Sequence, residues 1–152
     1  MKFLNNYSNR ELNIWAELIL DILVSFYFFP KIFPLIIDGQ LYSDALVGII
    51  ATSIIISIIY SIFVFGAINT LTKREEKDER DYVYELKSYR ISNIISQVSI
   101  YLLISLIVFN PINQVRLNEF TAPMIAMVLL IITLLSSTGK SVNQLYYYRK
   151  NI

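Results

Sequence analysis

The chain contains no cysteine and no histidine. Without thiols there can be no disulfide, no thiolate nucleophile, no iron–sulfur ligation and no palmitoyl or lipoprotein anchor. Without imidazole the chain lacks the commonest metal ligand and the usual acid–base group near neutral pH. Glycine is scarce, 4 in 152 residues, and none sits in a phosphate-cradling loop. Gly-x-Ser-x-Gly and Walker-type patterns are absent. The formal net charge is only +1, so there is no bulk basic signal for nucleic acid. These absences argue against a soluble-type active site, a metal centre and a bound cofactor. The expectation is a protein that is not an enzyme.

Apolar residues are what the chain has in excess. They make up 55% of it against 16% charged, and the charge is confined to a few blocks. A soluble chain of this length spreads polar groups around its whole surface; here long runs have nowhere to face but lipid. A bilayer-spanning helix needs about 20 mostly apolar residues. Four segments qualify, at roughly 14–37, 45–71, 91–110 and 122–137. Pro30 and Pro34 are expected to interrupt the outer part of the first, and the third stops at Pro111. The fourth is the shortest and extends on one reading through the tyrosine-rich tail. Lipid offers the backbone no hydrogen bonds, so all four should be helices. The fold class is therefore all-α: a single integral membrane domain over 1–152, built as a four-helix transmembrane bundle with a charged helical extension before span 3.

Lysine and arginine set the orientation. Lys2 and Arg10 precede span 1. Lys73, Arg74, Lys77, Arg80, Lys87 and Arg90 lie between spans 2 and 3, and Lys140, Arg149 and Lys150 follow span 4. Only Lys31 and Arg116 fall on the other side. By the positive-inside bias, both termini and the loop at 73–90 should be cytoplasmic in a multi-pass plasma-membrane protein. Tyr146, Tyr147 and Tyr148 fit an inner aromatic belt. Span 1 lacks a small-residue cleavage site and reads as an anchor rather than a removable signal.

A short self-similarity is visible. Ser8, Arg10, Asn13 and Ile14 can be laid over Ser88, Arg90, Asn93 and Ile94, both reading S-x-R-x-x-N-I just before a span. Continuing the overlay pairs Glu17 with Gln97. A true repeat predicts two similar helical hairpins packed as a pseudo-dimer; chance in a biased composition is the competing explanation.

The block 77–92 is the densest in charge. Asp78 can cap a helix, with Asp81 three residues on as the returning acid. At 100° per residue, Asp78, Asp81, Glu85, Ser88, Ser92, Ser96 and Ser99 fall on one stripe, with Arg80, Lys87 and Arg90 roughly opposite. Two readings follow. The basic side lies against anionic inner-leaflet headgroups, at about 1 kcal/mol per cation, and the serines merely admit a close helix. Alternatively, Asp78, Glu79, Arg80, Asp81, Glu85, Lys87 and Arg90 form a docking face for a protein partner, a second copy, or the tail around Arg149 and Lys150. A divalent-ion site on Asp78, Asp81 and Glu85 ranks last, because Arg74, Lys77 and Arg80 are close enough to neutralise it. Ser53, Ser57 and Ser61 repeat every fourth residue on span 2, so spans 2 and 3 are expected to meet along their serine faces; serines bonded back to their own helix and facing lipid are the alternative.

Glu17 and Asp21 lie four apart on one face of span 1. A charge at mid-membrane costs roughly 2.5–3.5 kcal/mol on insertion scales. Either the pair faces the bundle interior as an ion or proton site, or the span starts later and both sit at the headgroups. Lys31 is a charge partner only if the outer part of span 1 folds back.

Lys77-Asp78-Glu79-Arg80-Asp81 followed by Glu85-Leu86-Lys87-Ser88 resembles the Asp-Glu-Arg signature of small bacterial and archaeal membrane proteins grouped as DUF2178. Ser88 stands where that family more often has alanine. The resemblance extends to the number of spans and to the tyrosine-plus-basic tail 146–150. It implies a four-span membrane protein with a cytoplasmic motif before span 3, and it carries no assigned activity. The functional expectation is a regulatory or partner-binding membrane protein acting through its charged loop. The alternative is a small oligomeric transporter or proton- or cation-coupled channel using Glu17 and Asp21.

Overall fold

The computed structural model describes residues 9–41, 44–71, 78–109 and 122–150. All of their regular structure is helical: α1 (Asn9–Ile37), α2 (Asp44–Tyr60), a single π-helical turn (Ser61–Phe65), α3 (Gly66–Leu71), α4 (Glu79–Phe109) and α5 (Ala122–Lys150). The second, third and fourth of these run on without a break, so there are four rods, each long and apolar enough to cross a membrane. At 1.5 Å per residue the 29 residues of α1 span about 43 Å. That exceeds a hydrocarbon core of about 30 Å. Where the sequence turns polar, α1, α4 and α5 therefore extend past the lipid at one shared end, the charged end. Lys2, Lys73, Arg74, Lys77, Pro111 and Arg116, with Ser8 of the proposed repeat, lie outside the described residues.

Faces follow from spacing. On α1 the buried residues Ile14, Asp21, Val24, Phe28 and Ile32 recur at helical intervals. Phe28 and Ile32 meet Leu46 of α2 and Met127 of α5 in an apolar core away from the charged end. The outer walls are isoleucine and phenylalanine, with Phe26 77% and Phe63 71% exposed. Apolar surface this continuous belongs against lipid, not water.

Two expectations about span 1 are corrected. Pro30 and Pro34 do not interrupt it; α1 runs through both to Ile37. Each proline removes one N–H from the ladder, but packing on α2 and α5 holds the rod, and spanning helices tolerate the freed carbonyls. The helix stops instead at Gly39, whose φ of +66° is a left-handed conformation open to glycine. There Gln40 N–H donates to Leu35 O at 2.9 Å and Gly39 N–H to Ile36 O at 3.3 Å, closing the end in a Schellman arrangement. Lys31 accordingly does not fold back toward the acids; its ammonium lies 4.0 Å over the Tyr27 ring.

The order of neighbours differs from the expected bundle. α5 is the hub, touching α1, α2 and α4, and α2 packs mainly on α1. Among the described residues α4 packs backbone-close on α5 alone and does not meet α2. The expected contact between the serine faces of spans 2 and 3 is therefore not made. Ser53 is buried, and with Ser57, Ser61 and Val24 it lines a groove of about 420 Å³ whose other wall is α5. Ser53 and Ser57 donate to Ile49 O and Ser53 O, each at 2.9 Å. A bonded-back serine needs no partner helix. The hairpins α1–α2 and α4–α5 exist, but a pseudo-dimer would match the α1–α5 contact with one between α4 and α2, and that one is missing.

Candidate functional site

The polar residues of α1, α4 and α5 meet on both sides of α5 at the charged end. The assembly starts with the cap of α4. Asp78 Oδ1 accepts from Glu79 N–H at 2.6 Å, and Asp78 N–H donates to Asp81 Oδ2 at 3.0 Å, so the returning arm of the expected capping box forms. Arg80 Nε donates to Asp78 Oδ2 at 3.1 Å. Arg80, then the Glu79 amide, hold the Asp78 carboxyl below the usual carboxylate range. A depressed carboxylate contributes at neutral pH and loses its contribution as pH falls through its folded-state pKa.

Asp81 does more than return the cap. Its Oδ2 also pairs with Arg10 of α1, and its Oδ1 accepts the Tyr148 hydroxyl of α5 at 2.6 Å. One carboxylate thus fastens three helices. Of the two expectations for this acidic face, Asp81 follows the one that pairs it with the tail around Arg149 and Lys150, but through Tyr148 and not through those two cations. Arg149 stacks over Trp15 at 5.3 Å and Lys150 over Tyr146 at 5.6 Å. Two tyrosines of the run pack against α4: Tyr84 stacks on Tyr147 at 5.8 Å and meets Tyr148 edge-on at 5.5 Å, while Tyr146 is 55% exposed.

Deeper along the α4–α5 seam the serine stripe faces inward as its spacing requires. Ser88 is fully buried, donates to Tyr84 O at 2.7 Å and accepts from Asn143 Nδ2 at 3.4 Å. Ser92 and Ser96 converge on Ser136 Oγ at 2.6 and 2.8 Å, and Ser136 donates to Ser92 O at 3.0 Å. Small residues let the rods approach closely; a Cβ on Gly139 would lie 2.6 Å from the Ile95 side chain. Glu79, Arg80, Lys87 and Arg90 lie on the opposite, exposed side. Among the described residues no three acids gather in a way that would hold a metal, and Asp78, Asp81 and Glu85 do not form such a group.

On the other side of α5, Glu17 and Asp21 face inward. Lys140 Nζ lies 2.7 Å from Glu17 Oε2, and Ser141 donates to the same oxygen at 3.4 Å. Asp21 is buried and accepts from Thr138 Oγ1 at 3.4 Å. It also lines a cavity of about 410 Å³ with Ser25, Phe26, Phe29, Pro30 and Thr138. A smaller hollow of about 150 Å³ joins the two sides of the site and touches Arg10, Glu17, Glu85, Lys140 and Tyr148. Lys140, which the sequence placed beyond span 4, lies on α5 itself with its side chain mostly buried against Glu17. Its position one helical turn from Ser136 and Gln144, both buried, is the signal that would have revealed it.

Lys140→Met leaves the Glu17 carboxylate in the α1–α5 contact without its cation. The expected loss is about 1–3 kcal/mol after allowance for partial solvent access. Adding Glu17→Gln should restore most of it. Thermal unfolding of the four-member double-mutant cycle in detergent reads the coupling.

Four rods with lipid-type walls and a polar seam at one end define a multi-pass, all-helical membrane protein. Beyond that class the comparisons add nothing: no family model, no curated protein and no solved structure matches the chain.

Proposed function

We propose that this is a plasma-membrane protein with its charged end in the cytoplasm, and that it is a regulatory or partner-binding protein, not an enzyme. The orientation rests on the excess of lysine and arginine at that end. One observation carries the function. The block 78–90 is divided by the helix: Asp81 and Ser88 are used inside, while Glu79, Arg80, Lys87 and Arg90 stay exposed on a helix that Asp81 holds still. Among them Val83 and Leu86 are 48% and 72% exposed at the level of the charges. Apolar residues flanked by three cations and one acid suit a protein partner with an apolar patch and a mainly acidic rim. The likeness to DUF2178 points the same way only in placing a motif here.

The test is affinity capture of tagged protein from its own membranes in mild detergent, comparing wild type with Leu86→Asp and Arg90→Glu. A stoichiometric partner held by wild type and reduced at least tenfold in both variants is the expected result. The same proteins captured in all samples, or none in any, overturns the reading. Rebinding to anionic vesicles alone would reassign the face to headgroups.

A second reading has its own observation. Asp21 is a buried carboxyl in the apolar run of α1, and it opens on a cavity whose walls are mostly apolar, Ile22, Phe26, Phe29 and Pro30, with Ser25 and Thr138 as the other polar groups. Such residues are candidates for ion or proton handling, as in a small oligomeric transporter or channel. Glu17 is no longer a free member of the pair, being matched by Lys140, so Asp21 alone carries this reading. Proteoliposomes should then show a proton or cation flux that Asp21→Asn abolishes; absence of flux in wild type sinks it.

A further inference from the structure

The outward face of α4 carries two carboxamides inside its apolar stretch. Asn93 and Gln97 are exposed on the side turned away from α5. They lie within the apolar stretch that begins near Ile91, on the order of 3 and 9 Å beyond it along the rod. Neither meets a hydrogen-bond partner among the described residues. A carboxamide in hydrocarbon without a partner is costly. Ile100, Ile104 and Ile107 continue the same face, and all three are exposed. The intervals along 93, 97, 100, 104 and 107 alternate four and three, the spacing of a seam between two near-parallel helices.

We propose that this seam pairs with a second copy of the chain, α4 against α4 about a two-fold axis along the membrane normal. Two copies inserted with one topology present α4 in the same direction, so equal depths meet. A carboxamide donates and accepts, so Gln97 is complementary to Gln97 of another copy, as Asn93 is to itself. Interhelical bonds of this type hold spanning helices together. Arg90, one turn nearer the charged end on the same face, repels its equivalent. The seam therefore ends there, and the two charged ends splay. This inference goes beyond the cytoplasmic docking face and does not depend on its having a partner.

Because the chain has no native cysteine, single cysteines report without a background to remove. Ile100→Cys and Ile104→Cys lie on the seam. Val98→Cys and Leu102→Cys are controls, 53% and 61% exposed on other sides of the helix. Oxidation in native membranes should give a homodimer band at least tenfold stronger at 100 and 104 than at 98 and 102. Gln97→Leu placed in the Ile100→Cys background should weaken association by about threefold to thirtyfold. Equal cross-linking at all four positions, adducts only to a different protein, or no adduct would overturn the proposal. So would a seam cross-link indifferent to Gln97→Leu combined with Asn93→Leu.

Discussion

Asp81→Ala is expected to lower stability by about 2–4 kcal/mol. Three contacts disappear together. The Arg10 guanidinium, with its side chain only 17% exposed, is left without its carboxylate. The Tyr148 hydroxyl loses its acceptor, and the cap of α4 loses its returning arm. Arg10→Ala should do less, about 1–2 kcal/mol, because Asp81 keeps Tyr148 and the Asp78 amide. Thermal unfolding in detergent separates the cases. An Asp81→Ala protein as stable as wild type would mean that the three helix ends are not fastened there. The same variant warns against a simple use of Asp81 to map a docking face: losing a partner through it would report a loosened platform as readily as a lost contact.

The second large effect belongs to Ser136, where three serines share one small space. Ser136→Leu should destabilise the α4–α5 seam by about 2–4 kcal/mol, combining overpacking with the hydrogen bonds it removes. Ser136→Ala should cost only about 1 kcal/mol, since Ser92 and Ser96 can bond back to their own helix as Ser53 and Ser57 do. The consequence of the leucine is wide because, among the described residues, α4 packs backbone-close on α5 alone and is tied to α1 by Arg10 and Asp81 at its charged end. Hydrogen exchange at residues 88–99, read beside an unfolding titration, should rise in Ser136→Leu and hardly change in Ser136→Ala. An alanine as harmful as the leucine would assign the seam to hydrogen bonding instead of close approach.

The four rods were legible because twenty apolar residues in a row have few other destinations. The cap at Asp78 and Asp81 was legible because a capping box is a local pattern. So was the division of α4: one hundred degrees per residue places Ser88, Ser92 and Ser96 on one side and Arg80, Lys87 and Arg90 on the other, and that is how they lie. What periodicity omits is the identity of the neighbour. Ser53 and Ser57 form a serine face as regular as that of α4, yet one face packs on α5 and the other is satisfied by its own carbonyls beside α1. Arg10 and Asp81 are 71 residues apart, and nothing local links them. That Asp21 and Glu17 face another helix depends on α5, which runs past Ser137 as one helix and carries Thr138 and Lys140 to the acids. The prolines misled for a physical reason. Their cost in water-soluble helices is well defined, but a rod packed on two neighbours and surrounded by lipid has no cheaper shape to adopt.

The hub of the structure is also the last of the described helices to be made. Synthesis runs from α1 toward α5, so α4 leaves the insertion machinery before the rod it rests on exists. During that interval α1 and α2 can already close on each other, whereas α4 stands alone with both its serine side and its carboxamide side turned to lipid. Two nascent or newly released chains would meet first through whichever side finds a helix sooner. The arrival of α5 then decides the matter, claiming Ser88, Ser92 and Ser96 and leaving Asn93 and Gln97 outward. Assembly in this molecule is ordered in time by the position of one helix in the chain.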